Sequence, residues 1–319
     1  MRVGVIGAGI MGENHVRVYA ALANHCSLTG IYDTDLQRAG LIAAKYHTAA
    51  FDSLPALLDQ VDAVTIAAPT PAHYEIGLAC IAKGIHMLIE KPLALTVPQG
   101  RELVAKSAEA GLKLQVGHIE LYNPVIQVLR QIIVEEEVIA VDIHRMSPFE
   151  ARWQHVNVVD DLMIHDIYIL HDLLQARIGT VHAVGHADGG VIRHAAALVR
   201  TDNGLTAQLT ASFITEERIR TIRIVTKRAF IQADLLDKKV VVTRSTRFFQ
   251  KAFHTNYAQQ NIVEKIAVPS QEPLLAQLQD FLACIRRGKA PRVPGQDGIH
   301  AMEVTNRITK LILQEESHE

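Results

Sequence analysis

Gly7-Ala8-Gly9-Ile10-Met11-Gly12 follows an apolar run at residues 2–6 and opens a helix-like segment, a spacing suited to holding a pyrophosphate. Gly7 permits a tight turn, Gly9 lets the backbone approach the anion, and Gly12 lets the helix pack close to the strand. The free N–H groups of the helix start, around Ile10 and Met11, face negative charge. Asp33 closes a second apolar run, Leu28–Tyr32, twenty-one residues after Gly12, where a carboxylate accepts hydrogen bonds from an adenosine ribose. An acid there favours NAD over NADP, because a 2′-phosphate meets its charge, and Thr34-Asp35 offers no arginine to hold that phosphate. The alternative role for Asp33 is to cap the helix beginning near Leu36. Further along, Asp161 and His165 stand i, i+4, so on a helix they share a face and can meet one ligand. Histidine is suited to proton transfer near neutral pH, and an aspartate can orient it. Lys91 ends an apolar run, a position from which an ammonium can stabilise a developing alkoxide.

These residues need a scaffold, and the first 117 or so residues alternate strand and helix patterns. Strands are expected at 2–6, 28–32, Ala49–Phe51, Val61–Ala67, Ile85–Ile89 and Lys113–Val116, with helices between them that stop at Gly84 and Gly111. Such alternation implies a doubly wound parallel sheet of Rossmann type, whose ligands sit outside the carboxyl ends of the strands. Gly9, Asp33, Pro69-Thr70 and Glu90-Lys91-Pro92 all fall at such ends.

After His118 the pattern changes. A helix near Pro124–Val134, a strand around Ile139–Met146 and a helix at Asp160–Leu174 precede six strand-like runs between Thr180 and Arg244. Asp202-Asn203-Gly204 is a hairpin signal between two of them, so an α+β domain with a large, mostly antiparallel open sheet is expected. Helices near Pro273–Arg287 and Asp297–Gln314 finish the chain. The division expected is a dinucleotide-binding domain over 1–120 and a substrate-binding and oligomerisation domain over 121–319, with the last helix packing back on the first domain as an alternative.

With 319 residues, 49% hydrophobic and 21% charged, the chain can bury a core for about two domains. Its net charge of −2 and scattered basic residues predict affinity for neither nucleic acid nor membrane. Cys26, Cys80 and Cys284 have no pairing spacing and read as buried thiols in a reducing compartment. The apolar N-terminus is too short for a signal peptide, and no run of about 18 apolar residues exists, so a cytoplasmic location is expected. The sixteen histidines raise a metal question, but no HExxH or CxxC pattern supports a site and His171 is rotated away from Asp161 and His165. No metal is expected.

Together the motifs resemble the Gfo/Idh/MocA family along essentially the whole chain. They are GAGIMG at 7–12, Ala68-Pro69-Thr70-Pro71-Ala72-His73-Tyr74, Glu90-Lys91-Pro92-Leu93-Ala94, Gly117-His118-Ile119-Glu120-Leu121-Tyr122-Asn123-Pro124 and Asp161-Leu162-Met163-Ile164-His165-Asp166. The last two look most like the branch that oxidises nucleotide-linked amino sugars, such as UDP-N-acetylglucosamine 3-dehydrogenase. The resemblance implies an NAD-dependent oxidoreductase moving a hydride between a secondary alcohol of a sugar, sugar nucleotide or polyol and the nicotinamide. It implies His165 as general base with Asp161 and Lys91 as catalytic partners, and Pro69, Thr70, His73, Glu90, Lys91 and Pro92 as cofactor-binding residues. Some family members bind dinucleotide as sensors without turnover, and others use NAD transiently during elimination or glycoside cleavage. Retention of Lys91, Asp161 and His165 argues against the sensor.

Each residue also has a plainer reading. His165 alone is a core histidine, Lys91 a surface strand end, and Asp160, Asp161 and Asp166 carboxylates that favour a helix start. For the substrate, Glu120, Tyr122 and Asn123 of the motif, with Arg145 and Arg152 before the Asp161 helix, are the candidates. The two guanidinium groups suit a phosphate or carboxylate, or else form solvated surface pairs. The chain departs from the branch at Leu121-Tyr122, where Arg-Phe is usual, and at Tyr168, where an Asp is usual. The loss of that arginine counts against recognition of an anionic or N-acetylated sugar. The strands from Thr180 to Arg244 have too few helices to cover both sheet faces, so a homodimer or homotetramer through the sheet is expected, as the family resemblance also implies.

Overall fold

A computed structural model describes residues 1–250 and 257–316, without the side chains of 152, 245–250, 257–260, 315 and 316. The chain forms two compact units, one of residues 1–119 with 272–303 and one of 120–271 with 304–319.

The first unit opens with β1 (Arg2–Ile6), α1 (Ile10–Ala21), β2 (Ser27–Tyr32), α2 (Leu36–Lys45), β3 (Ala49–Phe51) and α3 (Leu54–Leu58). It continues through β4 (Ala63–Ile66), α4 (Thr70–Ala82), β5 (His86–Glu90), α5 (Val97–Glu109) and β6 (Leu114–Gly117). All neighbouring strands run parallel in the order β3-β2-β1-β4-β5-β6, so the order reverses between β1 and β4. That switch point is where a doubly wound sheet opens a crevice for a ligand, and the glycine turn leaves β1 beside it.

The second unit contains α6 (Pro124–Ile133), β7 (Val138–Met146), α7 (Ile164–Leu174), and the strands β8 (Ile178–Asp188), β9 (Val191–Thr201), β10 (Thr206–Ser212), β11 (Ile219–Thr226), β12 (Ala229–Asp234), β13 (Lys239–Gln250) and β14 (Tyr257–Ile266). Its eight strands lie in the order β14-β13-β12-β11-β7-β10-β9-β8. Only β7 and β10 pair in parallel. Gly204, with φ +87°, turns the chain from β9 into β10 at the expected hairpin. On one face α7 packs against β7, and α6 against β12 and β13. Among the described residues Leu198 (60% exposed), Val184, Val225 and Phe230 stay exposed in the strands.

Three differences from the sequence reading have physical causes. β14 was not expected, because Gln259, Gln260, Asn261, Glu264 and Lys265 dilute its apolar pattern at the edge of the sheet. The helix expected from Asp160 starts instead as a π-helical turn at Val159–Met163 and becomes α-helical at Ile164. The helix α8 (Pro273–Arg287) belongs by contact to the first unit, although the expected division at 120 places it in the second, and the first half of α9 (Gly295–Glu316), the last helix, joins it there. Leu274, Leu278, Phe281 and Leu282 of α8 join Val16, Val18 and Tyr19 of α1 in one core, and such long-range burial leaves no mark on local periodicity.

Candidate functional site

In the first unit the glycine turn has the shape its spacing requires. Gly7 has φ +106°, and a Cβ there would meet the Ala67 carbonyl at 2.5 Å. A Cβ on Gly12 would collide with the Gly7 carbonyl, so the turn and α1 need both glycines. At Gly9, by contrast, a Cβ would meet nothing within 4 Å, so the backbone there borders open space into which an anion can come close. Gly9 also caps α1, with no side chain spent on the first amides of the helix.

Asp33 sits across this turn. Its Oδ2 accepts from the Ala8 amide at 2.5 Å, and its Oδ1 accepts from the Asp35 amide at 2.8 Å. The cap of α2 is Asp35, which accepts from the Arg38 amide at 3.0 Å. Asp33 is therefore not the cap. It lines, with Gly9, Met11 and Pro69, a cavity of about 560 Å³ at the switch point. Thr70 starts α4 directly behind Pro69. Arg38, exposed and one helical turn into α2, lines the same cavity. The absence of arginine at 34–35 thus misses a guanidinium that the helix brings back to the mouth.

Two residues expected at the cofactor are placed otherwise. His73 is 1% exposed, with Nδ1 at 2.9 Å from the Pro92 carbonyl and Nε2 at 2.8 Å from the Ala68 carbonyl. Burial lowers its pKa against the pull of the two carbonyls, and the ring bridges the loops that carry them. Glu90 is buried with its Oε1 at 2.8 Å from His15 Nε2, and its carboxylate fills the space that a Cβ on Gly117 would need. Lys91 follows, half-buried, at the carboxyl end of β5, with Pro92 half-buried beside it. Glu90 and Gly117 are register partners, so Lys91 and His118 leave neighbouring strand ends. Burial and the Lys91 charge push His118 down to about 3. His15 and His118 were not singled out as site residues by the sequence reading. His15 reaches from α1 to Glu90 at the end of β5, and His118 follows the end of β6, placements that the motif spacing does not reveal.

In the second unit Asp161 and His165 are the half-buried positions in a run, 161–170, whose other residues are buried. The pair therefore shares one face across the junction from π-helix to α-helix, and π-turns are frequent at functional sites. His171 is at the other end of α7, with Nδ1 at 2.8 Å from the Ala176 carbonyl.

The expected substrate residues form something different. Arg145 keeps 2% of its side-chain surface, donates from Nε to Asp166 Oδ1 at 2.8 Å and from Nη1 to Glu120 Oε1 at 3.0 Å. Its pKa is raised, because the two carboxylates outweigh the cost of burial. Arg145 is thus a buried ion-pair centre rather than a surface phosphate clamp. Glu120 is held below the ordinary value, since Arg145 and Arg220 overcome its burial. Asp166 is pushed up to about 6 by burial, against the pull of Arg145. Asn123 caps α6 by accepting from the Val125 amide at 3.0 Å and donates to Glu120 at 3.2 Å, while Tyr122 is 4% exposed. These two serve the local fold. The side chain of Arg152 lies outside the described residues. Arg220, which the sequence reading passed over, donates to Glu120 Oε1 at 3.3 Å. Its alternation with buried Ile222 and Ile224 on β11 was the available signal, since it places an arginine on the covered face of a sheet.

A dinucleotide cradle at a parallel-sheet switch point, followed by a unit built on a broad antiparallel sheet, defines a Rossmann-type oxidoreductase class. Residues 1–118 match the family described as "Oxidoreductase family, NAD-binding Rossmann fold", and residues 137–232 match the "GFO/IDH/MocA C-terminal domain". UDP-N-acetylglucosamine 3-dehydrogenase from Acidithiobacillus ferrooxidans is 33% identical over 293 residues, 89% of this chain and 88% of that one. Its solved structure superposes with a TM-score of 0.90 over 98% of both chains. Inositol 2-dehydrogenase from Rhodococcus jostii is 30% identical over 57% of this chain and 52% of its own. A levoglucosan dehydrogenase solved with NADH and levoglucosan shares the fold, with a TM-score of 0.84 over 99% of this chain and 97% of its own, at 17% identity. The chain belongs to the Gfo/Idh/MocA oxidoreductase family, and its first unit is an NAD-binding Rossmann domain.

Proposed function

We propose that the protein is an NAD-dependent dehydrogenase that oxidises a secondary alcohol of a sugar, sugar nucleotide or polyol, or reduces the matching ketone. The observation that carries this reading is the similarity over 98% of both chains to a structure named as a UDP-N-acetylglucosamine 3-dehydrogenase. The cradle at Gly7, Gly9 and Gly12 and the carboxylate of Asp33 suit the pyrophosphate and the ribose of NAD. When bound, NAD supplies the nicotinamide carbon that takes the hydride. His165 takes the hydroxyl proton on Nε2 or Nδ1, Asp161 orients that ring or a neighbouring hydroxyl, and the Lys91 ammonium stabilises the developing alkoxide. The second unit supplies the substrate residues. Its open sheet face pairs two copies into a homodimer or a tetramer of such dimers. Among the described residues no helix is long and apolar enough to cross a membrane, and three separate buried thiols suit the reducing cytoplasm.

The test is NADH formation with a panel of UDP-N-acetylglucosamine, its free sugar and inositol. Accumulation with at least one of them supports the dehydrogenase. Consumption of a sugar without net NADH supports transient oxidation during elimination. Tight NAD binding with no turnover of any sugar supports a sensor.

A further inference from the structure

Arg220 is the partly exposed end of an otherwise enclosed charge network. Glu120, Arg145 and Asp166 keep 12, 2 and 1% of their side-chain surface, whereas Arg220 keeps 35%. Its Nη1 is occupied by Glu120, and among the described residues no partner takes its Nε or Nη2. Those two N–H groups form the side-on fork that matches the two oxygens of a carboxylate or phosphate. We propose that Arg220 is the anion-binding residue of the substrate site, taking a phosphate or carboxylate group carried by the sugar.

Three observations support this assignment, which rests on the sugar-dehydrogenase reading. Position is the first. Arg220 pairs in register with Arg145 across β7 and β11, on the face where Ile222 and Ile224 are buried. Arg145 binds Asp166, the residue directly after His165 in the first turn of α7, and Glu120 joins Arg145 to Arg220. The fork thus lies three ion pairs from the turn that carries the proposed base.

Charge balance is the second. One Glu120 carboxylate is shared by two guanidiniums, Arg145 at 3.0 Å and Arg220 at 3.3 Å, while Arg145 has Asp166 as a second partner. Arg220 is thus the arginine of the network that has no carboxylate of its own, and an arriving anion supplies one. Burial already lowers the pKa of Arg220, which marks a guanidinium stripped of some of its water before any ligand binds. The third is reach. Leu121 beside Glu120 is buried and apolar, and Arg220 brings a guanidinium to Glu120 from a strand one hundred residues away.

The experiment uses the NAD-loaded full chain titrated calorimetrically with UDP, as the diphosphate probe, and with glucuronate, as the carboxylate probe. One of the two is expected to bind, which identifies the source of the anion. Arg220→Ala is expected to weaken that probe about ten- to hundredfold, the usual worth of a charge-assisted hydrogen bond, while NAD affinity is unchanged. Arg220→Lys restores only part of the loss, because an ammonium lacks the fork. Arg220→Gln keeps a donor for Glu120 and serves if the alanine variant does not fold. In turnover, KM for the charged sugar rises with kcat nearly constant, and a neutral sugar is unaffected. Unchanged binding of both probes in the variants, or binding of neither to the native protein, overturns the assignment. Absence of NADH formation with every sugar refutes the dehydrogenase reading instead, and the titrations still judge Arg220.

Discussion

The Asp33 carboxylate accepts a hydrogen bond from the Ala8 amide, so the end of β2 is fastened to the glycine turn without a ligand. The same carboxylate borders the cavity that Arg38 enters from α2. NAD is expected to bind at least about tenfold more tightly than NADP, since a 2′-phosphate meets the Asp33 charge. Asp33→Ala narrows that gap and leaves Arg38 to attract the phosphate. Adding Arg38→Ala reopens it. Calorimetric titration with both dinucleotides checks all three forms, and equal affinities in the native chain refute the carboxylate argument.

His165→Ala is expected to lower kcat by about 10²–10⁴-fold, the usual range for a positioned acid or base, with NAD affinity little changed. Lys91→Ala should also impair turnover. Steady-state kinetics beside NAD titration measure both quantities. A near-normal kcat in the His165 variant assigns the proton transfer to another group or to water.

Arg145→Ala leaves Asp166 and Glu120 without their shared partner inside the fold, a change that costs about 3–5 kcal/mol for buried pairs. A surface phosphate clamp would lose ligand affinity and little stability. Urea unfolding of the variant separates the two, and an unaltered midpoint would mean that the buried ion-pair account is wrong.

Acid sensitivity should come largely from His118. Its folded value of about 3 lies below the ordinary 6.5, so between those limits the unfolded chain binds the additional proton and stability falls as pH drops. Asp166, raised from 3.8 to about 6, acts in the opposite sense: its folded form holds the additional proton, and stability falls as pH rises through that window. His118→Gln removes the first effect and leaves the second. Its urea midpoint should hold or rise between about pH 6 and about pH 4, where that of the native chain falls.

The open face of the second sheet should hold two copies together. Leu198 and Phe230 border a shallow hollow of about 320 Å³ on that face. Leu198→Glu is expected to shift the mass from dimer to monomer in light scattering at micromolar concentration. A monomeric native chain refutes the pairing.

What the sequence made legible was local. The glycine turn, the carboxylate at Asp33, the parallel order of strands at 2–117 and the hairpin at Asp202-Asn203-Gly204 each follow from a few neighbouring residues. Arg145 was misjudged because its partners, Asp166 and Glu120, lie 21 and 25 residues away and meet it only through sheet register and helix packing. Arg38 is not adjacent to Asp33 in sequence, and only the first turn of α2 brings its side chain back to the cavity that Asp33 lines. His73 looked like a ligand contact because its motif includes Pro69, which lines the cavity, whereas its own two carbonyl partners belong to separate loops.

The return of residues 272–303 to the first unit has a consequence for the order in which the protein matures. Chains leave the ribosome from the amino end, and most domains fold as they emerge. Here the glycine turn is among the first segments made, yet α1 behind it waits for Leu278 and Phe281 of α8 to finish its core. The nucleotide-binding unit is therefore completed near the end of synthesis, after the whole antiparallel sheet. A nascent chain halted before α8 presents the apolar side of α1 to the chaperones that meet it.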